Sequence, residues 1–373
     1  MIPLLKSGTR STVLAAVLAA AATSANAYAD EFRLFPETPP GSTFANVHWA
    51  DPPAPRIDFE QLQVQVQIAR FDDSTWSELA LARETTEAAL LEPQPRPEKL
   101  FTTATTVWTA AAIGAGVLQG IGAPLQYGWE PWNFTDEGWF GRDTYVGGSD
   151  KVSHFIISSG VSRLLYEAYT QLGHPPDQSF TLAVTTSFMS GMMVEIMDAF
   201  SVYGFSFQDL TADALGSAAG ALINRHHLQD LLGLRLGLVE TDIPASAIGS
   251  SVVTLGRPYN DEIYAADLKL GGLIRRMNGN PGFSRFFLTS FVYFTKGFGY
   301  APPLPTRYQE IGFEVGLNFP EILRCFGVSE STWWGQGLIA IFNFFRFPFT
   351  QVGVYYNMYD GKWYGPGAER HYY

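Results

Sequence analysis

The chain has 373 residues, with 24 lysines and arginines against 36 aspartates and glutamates and a formal net charge of −12. This acidity excludes nucleic acid as an expected partner, because phosphate binding needs a basic surface. It also disfavours attraction to anionic lipid headgroups. The single cysteine, Cys325, excludes an intramolecular disulfide. The length suits roughly two or three domains at about 150 residues each.

The N-terminus has the order of a secretory signal. Basic residues, an apolar run and small residues follow one another at Lys6, Arg10, the stretch from Val13, and Ala25 to Ala27. Residues 1–27 are therefore predicted to be a signal peptide, and the mature protein is expected to be exported to the outer membrane or the periplasmic face of the envelope. No cysteine stands near the expected cleavage site, so no lipid anchor on a processed cysteine is expected.

Two segments precede the main part of the chain. Residues 28–56 are rich in proline without a period, which predicts an extended leader. Residues 57–99 are predicted to hold one strand, a short acidic helix over 75–91 and a proline-rich linker. The strand is expected at 61–68, where glutamine alternates strictly with an aliphatic residue.

Residues 100–230 are predicted to form a helical domain. Residues 104–123 carry no charge and reach the roughly 20 residues that a bilayer span needs. Both a membrane span and the buried helix of a bundle fit this segment. Glycine-rich helices are also predicted over 155–173, 180–200 and 206–226, and such helices pack backbone to backbone.

Residues 250–373 change from a helical period to a period of two. Candidate strands lie at 263–274, 285–298, 308–319, 337–347 and 351–359. Apolar residues on one side and glycine or charge on the other resemble an outer-membrane barrel, but a closed barrel needs about eight strands. The predicted fold class is therefore α+β, a helical bundle followed by an antiparallel β-meander. The meander would be either part of an outer-membrane barrel or a half-buried sheet on the helices.

Polar side chains interrupt the apolar helices at related positions. A carboxylate buried in such a helix costs several kcal/mol unless it is paired, ligated or protonated. Residues four apart lie on the same side of a helix. Because each buried polar group needs a partner, we expect the polar sides of neighbouring helices to face one another. The residues expected to converge are Asp150, Lys151, His154, Glu195, Asp198, Asp209 and Asp213.

Such a cluster can hold a divalent cation, supply an acid and a base, or pin helices together. His154 and Glu195 are the candidate catalytic residues, and Glu195, Asp209 and Asp213 are the candidate ligands of a divalent cation. Asp209 also has a structural interpretation, since SFQD resembles a capping box in which Ser206 caps the helix and Asp209 bonds back to the Ser206 amide. The common enzyme signatures, from G-x-S-x-G to the phosphate loop, are absent.

Three motifs occur together and in order. They are Asp-Lys-x-x-His-Phe at 150–155, Glu-x-x-Asp at 195–198 and Gly-Phe-Ser-x-x-Asp at 204–209. In these motifs the chain resembles the YfiM-like family of uncharacterised predicted envelope proteins, itself similar to the VanZ-like family of small helical membrane proteins. The resemblance implies a VanZ-like helical bundle and an envelope location, and it implies no activity. Asp213 stands where the family usually has asparagine, which adds a negative charge.

Two functions from different classes fit the sequence. The first is a non-enzymatic, membrane-associated envelope protein with a structural or interaction role, whose partners would be membrane lipid and another envelope protein. The second is a metal-dependent hydrolase or transferase acting on a phosphorylated lipid or a cell-wall precursor. There His154 would be the acid or base beside a bound divalent cation. The sequence does not decide between them, and it does not give the oligomeric state.

Overall fold

The computed structural model describes residues 99–238, 262–296, 298, 308–347 and 349–365. These residues all fall within one unit of the chain. The predicted signal peptide, the leader, the strand at 61–68 and the helix at 75–91 lie outside the described residues.

The helical part contains four long helices, which confirm the predicted helical runs, and one short helix, α2. The helices are α1 (Thr103–Gly120), α2 (Gly122–Tyr127), α3 (Ser149–Gln171), α4 (Pro176–Asp198) and α5 (Phe207–Arg225). Two short strands, β1 (Phe134–Thr135) and β2 (Phe205–Ser206), pair in parallel beside them. The core of this part is formed by apolar residues of α1, α3, α4 and α5.

Glycines let α5 approach α3 closely. A Cβ atom on Gly216 would lie 2.1 Å from the carbonyl oxygen of Phe155, and one on Gly220 would lie 2.1 Å from that of Ser159. No side chain fits at those distances, so the predicted role of these two glycines is confirmed. The close approach brings the polar residues of α3 and α5 within contact of each other.

The second part is a seven-stranded sheet. Its strands are β3 (Leu232–Leu238), β4 (Glu262–Lys269), β5 (Phe287–Lys296), β6 (Tyr308–Leu317), β7 (Phe345–Arg346), β8 (Gln351–Asn357) and β9 (Lys362–Tyr364). The spatial order is β7-β3-β4-β5-β6-β8-β9, and every pair is antiparallel except β7 with β3. The predicted α+β class is confirmed. In the described part of the chain, the edges β7 and β9 are not paired with each other.

Two predicted strands are wrong in whole or in part. The strand predicted at 263–274 ends at Lys269, and Leu270–Arg276 forms helix α6. The strand predicted at 337–347 is mostly helix α8 (Trp333–Phe344), whose start is capped by Thr332. A continuous apolar run has no period that separates a strand from a buried helix, which explains the error. Helix α7 (Phe319–Cys325) was not predicted.

The predicted two-sided pattern of the strands is confirmed in β6. Phe313 and Val315 are exposed, whereas Gly312, Glu314 and Gly316 are buried. We call the side that carries Phe313 the outer face of the sheet and the side that carries Glu314 the inner face. The sheet therefore buries a charged residue and exposes apolar ones.

Helix α3 packs on one end of the outer face. Ile156 contacts Tyr264 and Tyr293 in a small core, and the Ser149 and Thr295 hydroxyls share a hydrogen bond of 2.7 Å. The sheet thus fixes the N-terminal turn of α3, where the predicted polar residues begin.

Two helical stretches, Thr103–Tyr127 and Pro176–Asp198, are long and apolar enough to cross a membrane by length and composition alone. A core helix of a soluble protein passes the same test, so this finding by itself is weak support for a span.

Candidate functional site

A strained turn places the first polar residues of α3. Val146, Gly147 and Gly148 have positive φ values of 39°, 68° and 90°, a conformation that is rare for a residue with a side chain. The carbonyl oxygen of Gly147 accepts hydrogen bonds from the Tyr293 hydroxyl and the Gln309 amide of the sheet. These contacts hold the turn so that the next residues, from Ser149, enter the bundle.

The first cluster surrounds the buried ammonium group of Lys151. Its Nζ atom lies 2.5 Å from Asp150 Oδ2 and 3.2 Å from Asp209 Oδ1, and it also contacts Glu137. The three carboxyl groups come from the loop before α3, from α3 and from α5. We call these four residues the lysine cluster. Within the described residues, Asp150 Oδ1 is buried without a hydrogen-bond partner.

The lysine cluster has more acidic groups than positive charges. Burial raises the pKa of Glu137 to about 9, with the charge of Asp209 adding to the effect. Burial likewise raises the pKa of Asp150. Burial opposes the charged form of Lys151, but Asp150 and Asp209 outweigh it and raise the lysine pKa. For Asp209, burial is outweighed by His154 and Lys151, and the pKa is lowered. Glu137 therefore carries a proton at neutral pH while Asp209 is ionised.

The second cluster surrounds His154. His154 Nδ1 lies 3.2 Å from Asp213 Oδ2, and the Ser158 hydroxyl donates to Asp213 Oδ1 at 2.6 Å. Glu195 Oε2 accepts a hydrogen bond from the Ser206 backbone amide at 2.9 Å. His154 Nε2 lies 3.9 Å from Glu195 Oε1, which is beyond hydrogen-bond distance. We call these five residues the histidine cluster.

Charge in the histidine cluster is set by burial and by the carboxylates. Burial lowers the pKa of His154, but the negative charges of Asp213 and Asp209 outweigh it and raise the pKa well above its usual value. Burial raises the pKa of Glu195 to about 8, although the nearby His154 opposes this. At neutral pH the histidine is therefore an imidazolium ion, and Glu195 is mostly protonated.

The structure brings together most of the predicted site residues but divides them between the two clusters. Asp198 stands apart as the last residue of α4 and is partly exposed. Its backbone carbonyl accepts hydrogen bonds from the amides of Ser201 and Gly204 at 2.9 and 3.0 Å. Burial raises the pKa of the Asp198 carboxyl to about 7.

The geometry groups the predicted cation ligands differently from the sequence. Side chains with ligand atoms within 4.8 Å of one another form two sets, His154 with Glu195 and Asp213, and Glu137 with Asp150 and Asp209. Asp209 therefore lies with Lys151 rather than with Glu195 and Asp213. Among the carboxyl groups of Glu137, Asp150 and Asp209, the ammonium group of Lys151 already supplies a positive charge.

The capping prediction is confirmed in one half and wrong in the other. Ser206 Oγ accepts a hydrogen bond from the Asp209 amide at 3.2 Å, so Ser206 caps α5. The Ser206 amide does not bond back to Asp209 but donates to Glu195. Because Lys151 is buried and needs negative partners, the Asp209 carboxylate turns to it.

Sequence reasoning missed two residues of the clusters, Glu137 and Ser158, and a glycine that contacts Asp213, Gly191. Glu137 lies in a loop, where no periodicity predicts its direction. Ser158 is four residues after His154 on α3, so the helical spacing could have identified it. A Cβ atom on Gly191 would lie 2.4 Å from Asp213 Oδ2, so this glycine makes the space that the carboxylate occupies.

Fold and site define an α+β protein whose helical bundle is built around buried acidic groups. Residues 136–225 match the family of predicted periplasmic lipoproteins (DUF2279). The matched range includes Glu137 and both clusters. Comparison with curated proteins and with solved structures gives no match. The family match supports an uncharacterised envelope protein family and agrees with the predicted exported location, at the periplasmic face or the outer membrane.

Proposed function

We propose that the chain is a non-enzymatic, membrane-associated envelope protein in which the two polar clusters hold the helices together. The observation that supports this proposal is that most polar side chains of the clusters form ion pairs or hydrogen bonds with one another. The ammonium of Lys151 is shared by three carboxyl groups, and Asp213 is bound by His154 and Ser158. Glu195 is only 1% exposed.

Most contacts in the clusters join different elements of the bundle; the contact between Lys151 and Asp150 lies within α3. His154 and Ser158 tie α3 to Asp213 of α5, and Glu195 ties α4 to the residue that caps α5. A net hydrogen bond stabilises a protein by about 0.5 to 1.5 kcal/mol, and leaving a buried partner unsatisfied costs about 1 to 3 kcal/mol. A network of this kind favours one arrangement of the helices over others, which suits a structural or interaction role.

A second candidate function is a metal-dependent hydrolase or transferase acting on a phosphorylated lipid or a cell-wall precursor. The observation that favours it is that ligand atoms of His154, Glu195 and Asp213 lie within 4.8 Å of one another. The side chain of His154 is 16% exposed. In this alternative, the three residues would hold a divalent cation, which would polarise a phosphate, and a histidine or carboxylate would move the proton.

Metal content decides between the two proposals. Protein purified without chelator is analysed for Mg, Mn, Ca and Zn, and its thermal midpoint is measured with and without EDTA. The structural role predicts no stoichiometric metal and no effect of EDTA on the midpoint. One equivalent of metal, lost in Asp213→Asn but retained in Asp209→Asn, would contradict the structural role and favour the enzyme.

A further inference from the structure

The outer face of the sheet forms a continuous apolar surface. Phe291, Phe313, Val315, Val352 and Val354 are between 43% and 63% exposed. They line a shallow groove whose exposed area is almost entirely apolar.

The strand register makes this surface continuous. Phe291 pairs with Phe313, and Phe313 pairs with Val354 on the next strand, so the three form one row across the sheet. The rings of Phe291 and Phe313 lie 5.6 Å apart at an angle of 64°. Val315 and Val352 form the adjacent row. The exposed apolar residues are therefore contiguous across three strands, β5, β6 and β8, rather than scattered singly.

The inner face of the sheet holds buried ion pairs. Arg346 binds Glu314 through two hydrogen bonds of 2.9 and 3.1 Å, and Arg235 binds Asp267 with one contact at 3.0 Å. All four side chains are at most 4% exposed. A sheet in water places its charged side outward and its apolar side inward. Here the buried inner face carries these ion pairs beside the apolar residues Ile263, Ala265, Val292 and Phe294, whereas the exposed part of the outer face is apolar. An exposed apolar face over buried charge is typical of a wall that faces lipid.

The ion pair of Arg346 also shows that the sheet curls around its inner face. Strand β7 is separated from β6 by β3, β4 and β5 in the sheet order, yet Arg346 of β7 reaches Glu314 of β6. The charged side is therefore concave, and the apolar side is the convex exterior.

Other observations identify the occupant as lipid. Large apolar side chains are also exposed on the helical part, with Val107 of α1 60% exposed. One row further along the strands, Tyr356 and Trp363 pair with ring centroids 5.3 Å apart. Tyrosine and tryptophan are enriched at the headgroup level of membranes.

We infer that the part of the outer face that α3 leaves exposed, around Phe291, Phe313 and Val315, contacts the acyl chains of bilayer lipid. The inference rests on the proposed membrane association and names the surface and the chemistry of contact. Since the net charge of −12 opposes attraction to anionic headgroups, binding comes from burial of apolar area and does not need anionic lipid.

The test is flotation of the full chain, exchanged out of detergent, with vesicles of neutral phosphatidylcholine. Wild type and Phe326→Asp are expected to float. Phe326 is the matched control because it is 83% exposed but follows helix α7 and lies outside the outer face. Phe313→Asp is expected to reduce vesicle binding about tenfold, a loss of about 1.4 kcal/mol, because it places a charge in hydrocarbon. Adding anionic lipid is expected to leave wild-type binding unchanged or weaker.

A second variant separates weaker lipid binding from misfolding. Val315→Thr with Val352→Thr keeps the side-chain shape at two exposed positions and is expected to weaken flotation with an unchanged thermal midpoint in detergent. Equal flotation of wild type and both outer-face variants would overturn the inference, and so would absence of wild-type flotation. If the chain forms an oligomer without lipid and Phe313→Asp dissociates it into monomers, the outer face is instead an interface between copies of the chain. If wild type floats and the outer-face variants float equally well, only the inference fails. Absence of wild-type flotation would contradict the proposed membrane association as well. Neither outcome bears on the metal content of the polar clusters, which tests their structural role separately.

Discussion

The helical bundle and the sheet both bury charged groups, but they balance the charges differently. In the sheet, Arg235 binds Asp267 and Arg346 binds Glu314. In the bundle, five acidic groups share one lysine and one histidine, namely Glu137, Asp150, Asp209, Glu195 and Asp213. A buried excess of acid is tolerated only if some carboxyl groups keep their protons. The bundle therefore depends on pH for its stability, whereas in these two pairs of the sheet an arginine faces a carboxylate.

Breaking a sheet pair has the largest expected effect. Glu314→Ala removes the buried carboxylate that Arg346 binds through two hydrogen bonds and is expected to destabilise the protein by about 3 to 5 kcal/mol. The cost should be equal at pH 6 and pH 9, because arginine does not lose its proton in this range. Denaturant unfolding in detergent measures it.

The control for this variant is the exposed pair of Arg276 and Asp230, whose side chains are 41% and 38% exposed. Asp230→Ala is expected to cost less than about 1 kcal/mol. Similar costs for the buried and exposed pairs would contradict the account of the inner face.

Closing the space between helices has a smaller expected effect. In Gly220→Ala the new Cβ atom meets the Ser159 carbonyl oxygen at 2.1 Å, so α3 and α5 must move apart and the polar contacts between them lengthen. The expected loss is about 1 to 3 kcal/mol. Gly114→Ala on α1 is the matched control, because a Cβ atom there meets nothing within 4 Å. It is expected to stabilise the protein by up to about 1 kcal/mol. Thermal unfolding of both variants checks the prediction, and a stable Gly220→Ala would refute the close packing.

The dependence of stability on pH sharpens the comparison. The folded-state pKa values of Glu137, Glu195 and Asp198 are raised to about 9, 8 and 7. These groups keep protons that the unfolded chain has already lost, so their contribution is present at pH 4 and is lost as the pH rises towards 9. The slope is at most about 1.4 kcal/mol per pH unit for each proton. The lowered pKa of Asp209 acts in the opposite direction, in acid.

Unfolding of wild type and Glu195→Gln from pH 5 to pH 9 measures this slope. Glu195→Gln removes one titrating group, so its stability should fall less steeply as the pH approaches 8. Parallel curves for the two proteins would show that Glu195 does not hold a proton in the folded state.

Much of the fold follows from local patterns in the sequence. The apolar, glycine-rich runs predicted the long helices, and the alternation in 308–319 predicted β6 with its apolar side outward. Strand β3 carried the same signal, since Leu232, Leu234 and Leu236 alternate with glycine and arginine, but it was not recognised. The run at 337–347 has no such alternation, so sequence alone could not separate helix α8 from a strand.

The sequence predicted most of the residues that form the site but not which of them contact one another. Helical spacing identified Asp150, His154, Glu195 and Asp213, because a buried polar group needs a partner. The division into two clusters depends on which groups meet across helices, and packing at glycines sets those distances. Glu137 was missed because its loop position is fixed by contacts distant in sequence.

Substitution of Glu195 tests the central claim most directly, that the clusters are structural. The stability and the complementation of a deletion strain are measured for Glu195→Gln and Glu195→Ala. Glutamine resembles the protonated glutamate and can still accept the bond from the Ser206 amide, so it should be stable and complement. Alanine leaves that amide unpaired and should cost about 2 to 4 kcal/mol. A Glu195→Gln protein that is as stable as wild type but fails to complement would contradict the account.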